Sequence, residues 1–130
     1  MKLNNLFRLS FIAVIAFTIS SCIPESENFD STLLIGKWSR NYTEDNIAKT
    51  EYYRYDTGGT GVTWVPAEDV SEEEGQSFTW ILDQSELTHI YIMEVSSTTV
   101  TKIYTVTKLT STTLEYKDDY NEVYTYTKVN

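Results

Sequence analysis

A single cysteine, Cys22, rules out an intramolecular disulfide framework. A single histidine, His89, rules out a zinc centre built from several nitrogen and sulfur ligands. His89 is also the only base open to a Ser-His-Asp arrangement, and no serine stands in a nucleophile-elbow context. No catalytic residue, metal ligand or cofactor is therefore assigned, and the chain is expected not to be an enzyme. Paired carboxylates are the one catalytic arrangement that so acidic a sequence leaves open. Positive charge is scarce: ten basic residues face nineteen acidic ones, for a formal net charge of -9. Such a polyanion repels nucleic acid, whose binding depends on releasing counterions from phosphates. Anionic membrane surfaces are disfavoured on the same ground.

Long apolar runs are confined to one place. Residues 1–10 carry Lys2 and Arg8 and no acid, residues 11–19 (FIAVIAFTI) are apolar save Thr18, and Ser20-Ser21 precede Cys22. A basic n-region, a short h-region and small residues before a cut form an export signal. The run is shorter than the ~20 residues that span a bilayer. Residues 1–21 are thus read as a signal peptide. Ile19-Ser20-Ser21-Cys22 resembles the lipobox of bacterial lipoprotein precursors. The resemblance implies acylation of Cys22, palmitate among the chains, and cleavage before it. The partner it implies is membrane lipid. Because Ile23 rather than an aspartate follows the cysteine, the resemblance further implies the outer membrane of a cell envelope. Loss of Lys2 and Arg8 with the signal lowers the formal charge to -11. Residues 22–31 (CIPESENFDS) have little to bury and read as a flexible tether.

From residue 32 to 130 no helical period is found. Short runs rich in Tyr, Thr, Val, Ile and Trp occupy 34–42, 50–56, 60–65, 76–82, 87–94, 99–109, 113–117 and 122–129. Most links are tight; Thr57-Gly58-Gly59 supplies the positive φ of a hairpin. The stretches 43–49 and the acidic 66–75 are the longer exceptions. Eight sequential strands with short links predict an all-β, antiparallel up-and-down barrel. A β-sandwich is the alternative, though it would want a long crossover.

Gly36-Lys37-Trp38 on the first of these runs matches the lipocalin G-x-W motif, and residues 124–128 close the chain as Tyr-Thr-Tyr-Thr-Lys. With the turn 57–60 and the strand 78–82, the domain resembles the lipocalin-like domain of small bacterial lipoproteins. The resemblance covers about residues 32 to 129. It implies a barrel interior that holds a small apolar or amphipathic ligand, with Trp38 plugging one end. Lys128 stands where lipocalins commonly carry an arginine against that tryptophan.

A four-residue turn at 83–86 pairs Leu82 with Leu87, Trp80 with His89 and Phe78 with Tyr91. Side chains alternate, so these share one face with Met93, taken as the interior. Ile90 and Ile92 then face outward, which counts against the register. Trp38, Tyr53, Tyr55 and Tyr104 are the expected contributors from other strands. The candidate ligand-binding or interior set is therefore Trp38, Tyr53, Tyr55, Phe78, Trp80, His89, Tyr91 and Tyr104. A narrow eight-strand barrel has room for these side chains or for a small ligand, and not comfortably for both. His89 is expected to be half-buried and satisfied by a hydroxyl. Glu68, Asp69, Glu72, Glu73 and Glu74 lack the alternating oxygens and central glycine of a calcium loop, and read as a solvated, self-repelling segment. Two function classes follow: a non-enzymatic envelope binding or accessory module, or a structural, partner-docking lipoprotein with a filled core.

Overall fold

The computed structural model describes residues 27–129. The signal segment 1–21 and Cys22 lie outside the described residues. Eight strands follow in order: β1 Gly36–Glu44, β2 Ile47–Asp56, β3 Thr60–Trp64, β4 Gln76–Asp83, β5 Glu86–Met93, β6 Thr98–Leu109, β7 Thr113–Lys117 and β8 Val123–Val129. Each pairs antiparallel with the next, and β8 returns to β1 through Lys37↔Val129, Trp38↔Lys128 and Ser39↔Thr127. The sheet is a closed barrel, and this closure excludes the sandwich.

Turn chemistry sets the registers. Asp45 and Asn46 take positive φ (50° and 62°), so a two-residue turn joins β1 to β2. Both central residues are left-handed, as the twist of paired strands favours. The expected long link over 43–49 is thus corrected to a tight hairpin. The β4–β5 hairpin pairs Leu82↔Leu87, Trp80↔His89 and Phe78↔Tyr91, and Ile92 accordingly faces outward, 58% exposed. On β6 the outward face carries Thr99, Thr101, Thr105 and Thr107, all exposed. A bulge between Val106 and Lys108 then shifts the alternation. It puts both Val106 and Leu109 inside and leaves Lys108 exposed.

The lower end of the barrel is sealed by the segment before β1. Asp30 caps a 3-10 turn over Ser31–Leu33, its carboxylate accepting from the Thr32 backbone N–H. Phe29 and Leu33 pack on the core beside the fully buried Leu34, and the Phe29 N–H donates to the Gln84 carbonyl. Residues 29–31, expected to belong to a flexible tether, are therefore part of the folded unit. Trp38 is fully buried, and its indole N–H donates to the Leu34 carbonyl at 2.8 Å. Lys128 lies 4.5 Å from the Trp38 ring centre and donates to the carbonyls of Leu33 and Ile35. Gly36 (φ +128°) leaves the room for this, because a Cβ there would meet Lys128 Cε at 2.6 Å.

The acidic link between β3 and β4 is not self-repelling. It forms two 3-10 turns, Pro66–Glu68 and Glu72–Glu74. Glu72 takes Lys37 at 2.9 Å and Arg54 at 2.8 Å, and Glu68 takes Lys49 at 3.5 Å. The Lys37 and Arg54 hydrogen bonds hold the Glu72 carboxyl below its ordinary range. Beside it, outward-facing Trp64 stacks on Tyr52 with ring centres 5.1 Å apart and is only 7% exposed.

Candidate binding site at the barrel mouth

The barrel axis is filled by rings. Tyr53, Tyr55, Phe78, His89, Tyr91, Tyr104, Tyr116 and Tyr126 are all buried. Neighbouring centroids lie between 4.4 Å (Tyr104–Tyr116) and 6.3 Å (His89–Tyr116), the spacing of direct aromatic packing. A core built from tyrosines must pair each buried hydroxyl, at a cost of roughly 1–3 kcal/mol for one left alone. Two hydrogen-bonded chains meet that demand for Tyr53, Tyr55, Tyr91, Tyr116 and Tyr126. In the first, His89 Nε2 lies 2.9 Å from the Tyr55 hydroxyl and Nδ1 lies 3.1 Å from that of Tyr91. Tyr91 continues to the Tyr53 hydroxyl at 3.3 Å. The sense of the chain follows from Tyr55, which is 1% exposed and whose hydroxyl has only His89 as a partner among the described residues. Tyr55 must donate to Nε2, so the Nδ1–H donates to Tyr91; the opposite tautomer would strand the Tyr55 proton. In the second chain Tyr116 donates to Tyr126 at 3.0 Å, and Tyr126 donates to Glu51 Oε1 at 2.7 Å.

Burial, reinforced by the Lys102 charge, lowers the His89 pKa to about 3. Burial likewise pushes the Tyr55, Tyr91, Tyr116 and Tyr126 hydroxyls well above their ordinary range. At neutral pH these groups hydrogen-bond and stack, and none is poised to exchange a proton.

The upper end differs. β6 pairs with β7 only from Thr105 onward, while β5 and β6 stay paired up to Met93↔Thr98. β1 likewise pairs with β8 only as far as Ser39. The mouth is therefore wide and ringed by polar side chains. Arg40 and Glu51, directly opposed on β1 and β2, form its floor on one side, Nε to Oε1 at 2.7 Å. The guanidinium also lies over Tyr42 (4.8 Å), Tyr124 (4.9 Å) and Tyr126 (5.8 Å), and so occupies the gap between β1 and β8. On the other side a half-open concavity of about 290 Å³ is lined by Tyr53, Thr63, Gln76, Tyr91, Met93, Val100 and Lys102.

Of the residues expected inside, eight are buried: Trp38, Tyr53, Tyr55, Phe78, Leu87, His89, Tyr91 and Tyr104, with Leu82 partly buried beside them. Trp80 is half-buried against the core and donates its indole N–H to the Thr60 carbonyl at 2.8 Å. Met93, expected on the interior wall, is 43% exposed because β5 rises past the packed layer into the mouth. His89 is fully rather than half-buried, with hydroxyls on both ring nitrogens. Sequence reasoning missed Arg40, Glu51, Tyr116, Tyr126 and Lys102. The first pair was within reach, since Arg40 and Glu51 lie at equal distances from the Asp45–Asn46 turn. Among the described residues no cluster of three His, Cys, Asp or Glu side chains is placed to hold a metal ion.

No protein-family model matches the sequence. No curated protein matches it either. One solved structure does: the NMR structure of a protein from Bacteroides uniformis ATCC 8492, 18% identical, with a TM-score of 0.58 over 82% of this chain and 97% of that one. That similarity is one of fold: this chain is a closed eight-stranded antiparallel barrel with a bacterial structural neighbour.

Proposed function

We propose that the protein is a non-enzymatic lipoprotein of the cell envelope, anchored through acylated Cys22, whose lipocalin-like barrel binds at its mouth rather than in its interior. The observation that carries the reading is the filled core. Its rings are in mutual contact, and no buried side-chain nitrogen or oxygen among the described residues lacks a partner. A ligand inside would have to displace paired hydroxyls, whereas the mouth offers an amide and a cation that already reach solvent, beside the edges of the buried Tyr53 and Tyr91. The Gly36–Trp38–Lys128 arrangement supports the lipocalin-like reading, since glycine, indole and cation form one packed unit. The protonation states held by the buried histidine and tyrosines support a binding role over catalysis.

Two measurements test the reading. Replacing Cys22 by Ser should move the protein from the membrane to the soluble fraction and remove the mass of the acyl chains; unchanged fractionation and mass would defeat the anchoring. An apolar fluorescent probe should find no interior site in the wild type, and binding should arise only on a cavity-forming change such as Phe78→Ala. Tight uptake by the wild type would instead show a hollow barrel.

A second reading, docking to a protein partner, is favoured by the outer face of β4–β6. There Ile81, Ile90, Ile92 and Ile103 alternate with threonines across paired strands, free of charge between Asp83 at one end and Glu94 at the other. Retention of function after Ile92→Lys and Ile103→Lys together would count against it.

A further inference from the structure

Lys102 is set apart from the other cations of the mouth. Arg40 is committed to Glu51, and Lys49 to Glu44 and Glu68. Among the described residues Lys102 has no carboxylate within ion-pair distance. It is exposed, and its ammonium stands 5.6 Å from the Tyr91 ring centre. In a chain with nineteen acids, it is the only charged side chain among the described residues that line the 290 Å³ concavity.

The rest of that concavity narrows the chemistry. Tyr53 and Tyr91 line it as well, their buried hydroxyls 3.3 Å apart and hydrogen-bonded to each other. Gln76 is fixed on the opposite wall, its amide nitrogen donating to the Ile92 carbonyl at 3.0 Å, which leaves its side-chain oxygen as an acceptor. Met93 on β5 and Val100 on β6, diagonal across the paired strands, give an apolar wall in the open. The adjoining recess on the far side of Lys102 carries Asp118 and Asp119, so an anion is repelled there and favoured on the Tyr53–Tyr91 side.

We infer that this concavity binds a small monocarboxylic acid with a flat or apolar body, its carboxylate on Lys102 and its body against Met93 and Val100. The inference rests on the mouth being the binding surface and adds the class of ligand. One cation matches one negative charge; a phosphate dianion would leave a charge unmatched beside tyrosines that stay protonated. The volume lies near the lower end of the roughly 300–1,000 Å³ usual for ligand sites, which limits the body to about a single ring.

The test uses protein made from the full-length sequence, labelled with carbon-13 at methionine and valine methyl groups and titrated with benzoate, benzamide and benzylamine. Benzoate should shift the Met93 and Val100 methyl signals and bind about tenfold more tightly than benzamide, the worth of one charge-assisted hydrogen bond. Lys102→Met should remove that preference and Lys102→Arg keep it. The exposed, unpaired Lys102 leaves both variants folded, which unchanged signals from the core methyls will verify. Equal binding of all three probes at these methyls would overturn the carboxylate assignment while leaving the mouth as the site. No shift of Met93 or Val100 with any probe would overturn the mouth itself. Benzoate binding that survives Lys102→Met undiminished would overturn the role of Lys102.

Discussion

Protonation of His89 gives the sharpest measure of how tightly the core is closed. The folded pKa is lowered to about 3, against 6.5 for the free side chain, chiefly because a charged imidazole cannot be solvated at 0% exposure. Between these values the unfolded chain binds a proton that the folded chain refuses, so stability falls as the pH falls through this window. At ~1.36 kcal/mol per pKa unit, the loss is about 2 kcal/mol between pH 7 and pH 5, and about 4 kcal/mol by pH 3. Carboxylates interfere little above pH 5. Asp30 and Glu72, whose folded pKa values are lowered, give up their contribution only as the pH drops below their ordinary values near 4. Reduced repulsion among the acids acts in the opposite direction, but equally in a variant. Urea denaturation of wild type and His89→Gln at several pH values therefore isolates the effect, because the chain has no other histidine. The variant should start less stable by ~1–3 kcal/mol for its disturbed hydroxyl pairing, and lose about 2 kcal/mol less than wild type on going from pH 7 to pH 5. Parallel curves, or a His89 ring resonance titrating near 6.5 in the folded protein, would refute a closed core.

Three other changes follow from the same geometry. Trp38→Ala removes a fully buried indole and should cost roughly 3–5 kcal/mol, whereas Lys128→Ala should cost about 1 kcal/mol; comparable small losses in thermal denaturation would deny the packed unit at the base. Gly36→Ala should destabilise by roughly 1–3 kcal/mol, through its positive φ and the contact with Lys128, and the penalty should shrink in a Lys128→Ala background as that contact disappears. Glu72→Gln should raise amide hydrogen exchange across residues 66–75 while changing global stability by less than ~1 kcal/mol, since both of its ion pairs are partly exposed; unchanged exchange would mean the loop is held by something other than Glu72.

The strands were legible because each is a run of β-branched and aromatic residues ended by residues that tolerate left-handed backbone. Asp45-Asn46, Gln84 and Gly58-Gly59 all take positive φ where the chain reverses. The stretch 43–49 misled because its apolar content is low. Its Asp-Asn pair was nevertheless the stronger signal, and reading it would have placed Arg40 opposite Glu51. Other features lay beyond local pattern. The β6 bulge depends on how Val106 and Leu109 meet β7, and the 66–75 loop is ordered by Lys37 and Arg54, residues distant in sequence.

Whether the barrel is hollow or filled was the least legible property, because composition reports how many rings exist and not the volume they share. Fifteen aromatic residues beyond the signal are compatible with either state. The deciding element is one that an inventory of catalytic residues treats as a poor resource, the lone histidine. A tyrosine core leaves several hydroxyl groups far from water, and two phenols alone cannot satisfy each other's protons in a closed pair. A neutral imidazole accepts at one nitrogen and donates at the other, so placed between Tyr55 and Tyr91 it accepts the deepest proton and passes a donor outward toward Tyr53. The carboxylate of Glu51 ends the second chain in the same way, accepting from Tyr126 and from Arg40 at the edge of solvent. Each chain begins at a fully buried tyrosine, Tyr55 or Tyr116, and ends at a group closer to solvent, Tyr53 or Glu51. A filled core and a polar rim are on this argument one arrangement: the chains that pair the interior hydroxyls reach out to groups closer to solvent.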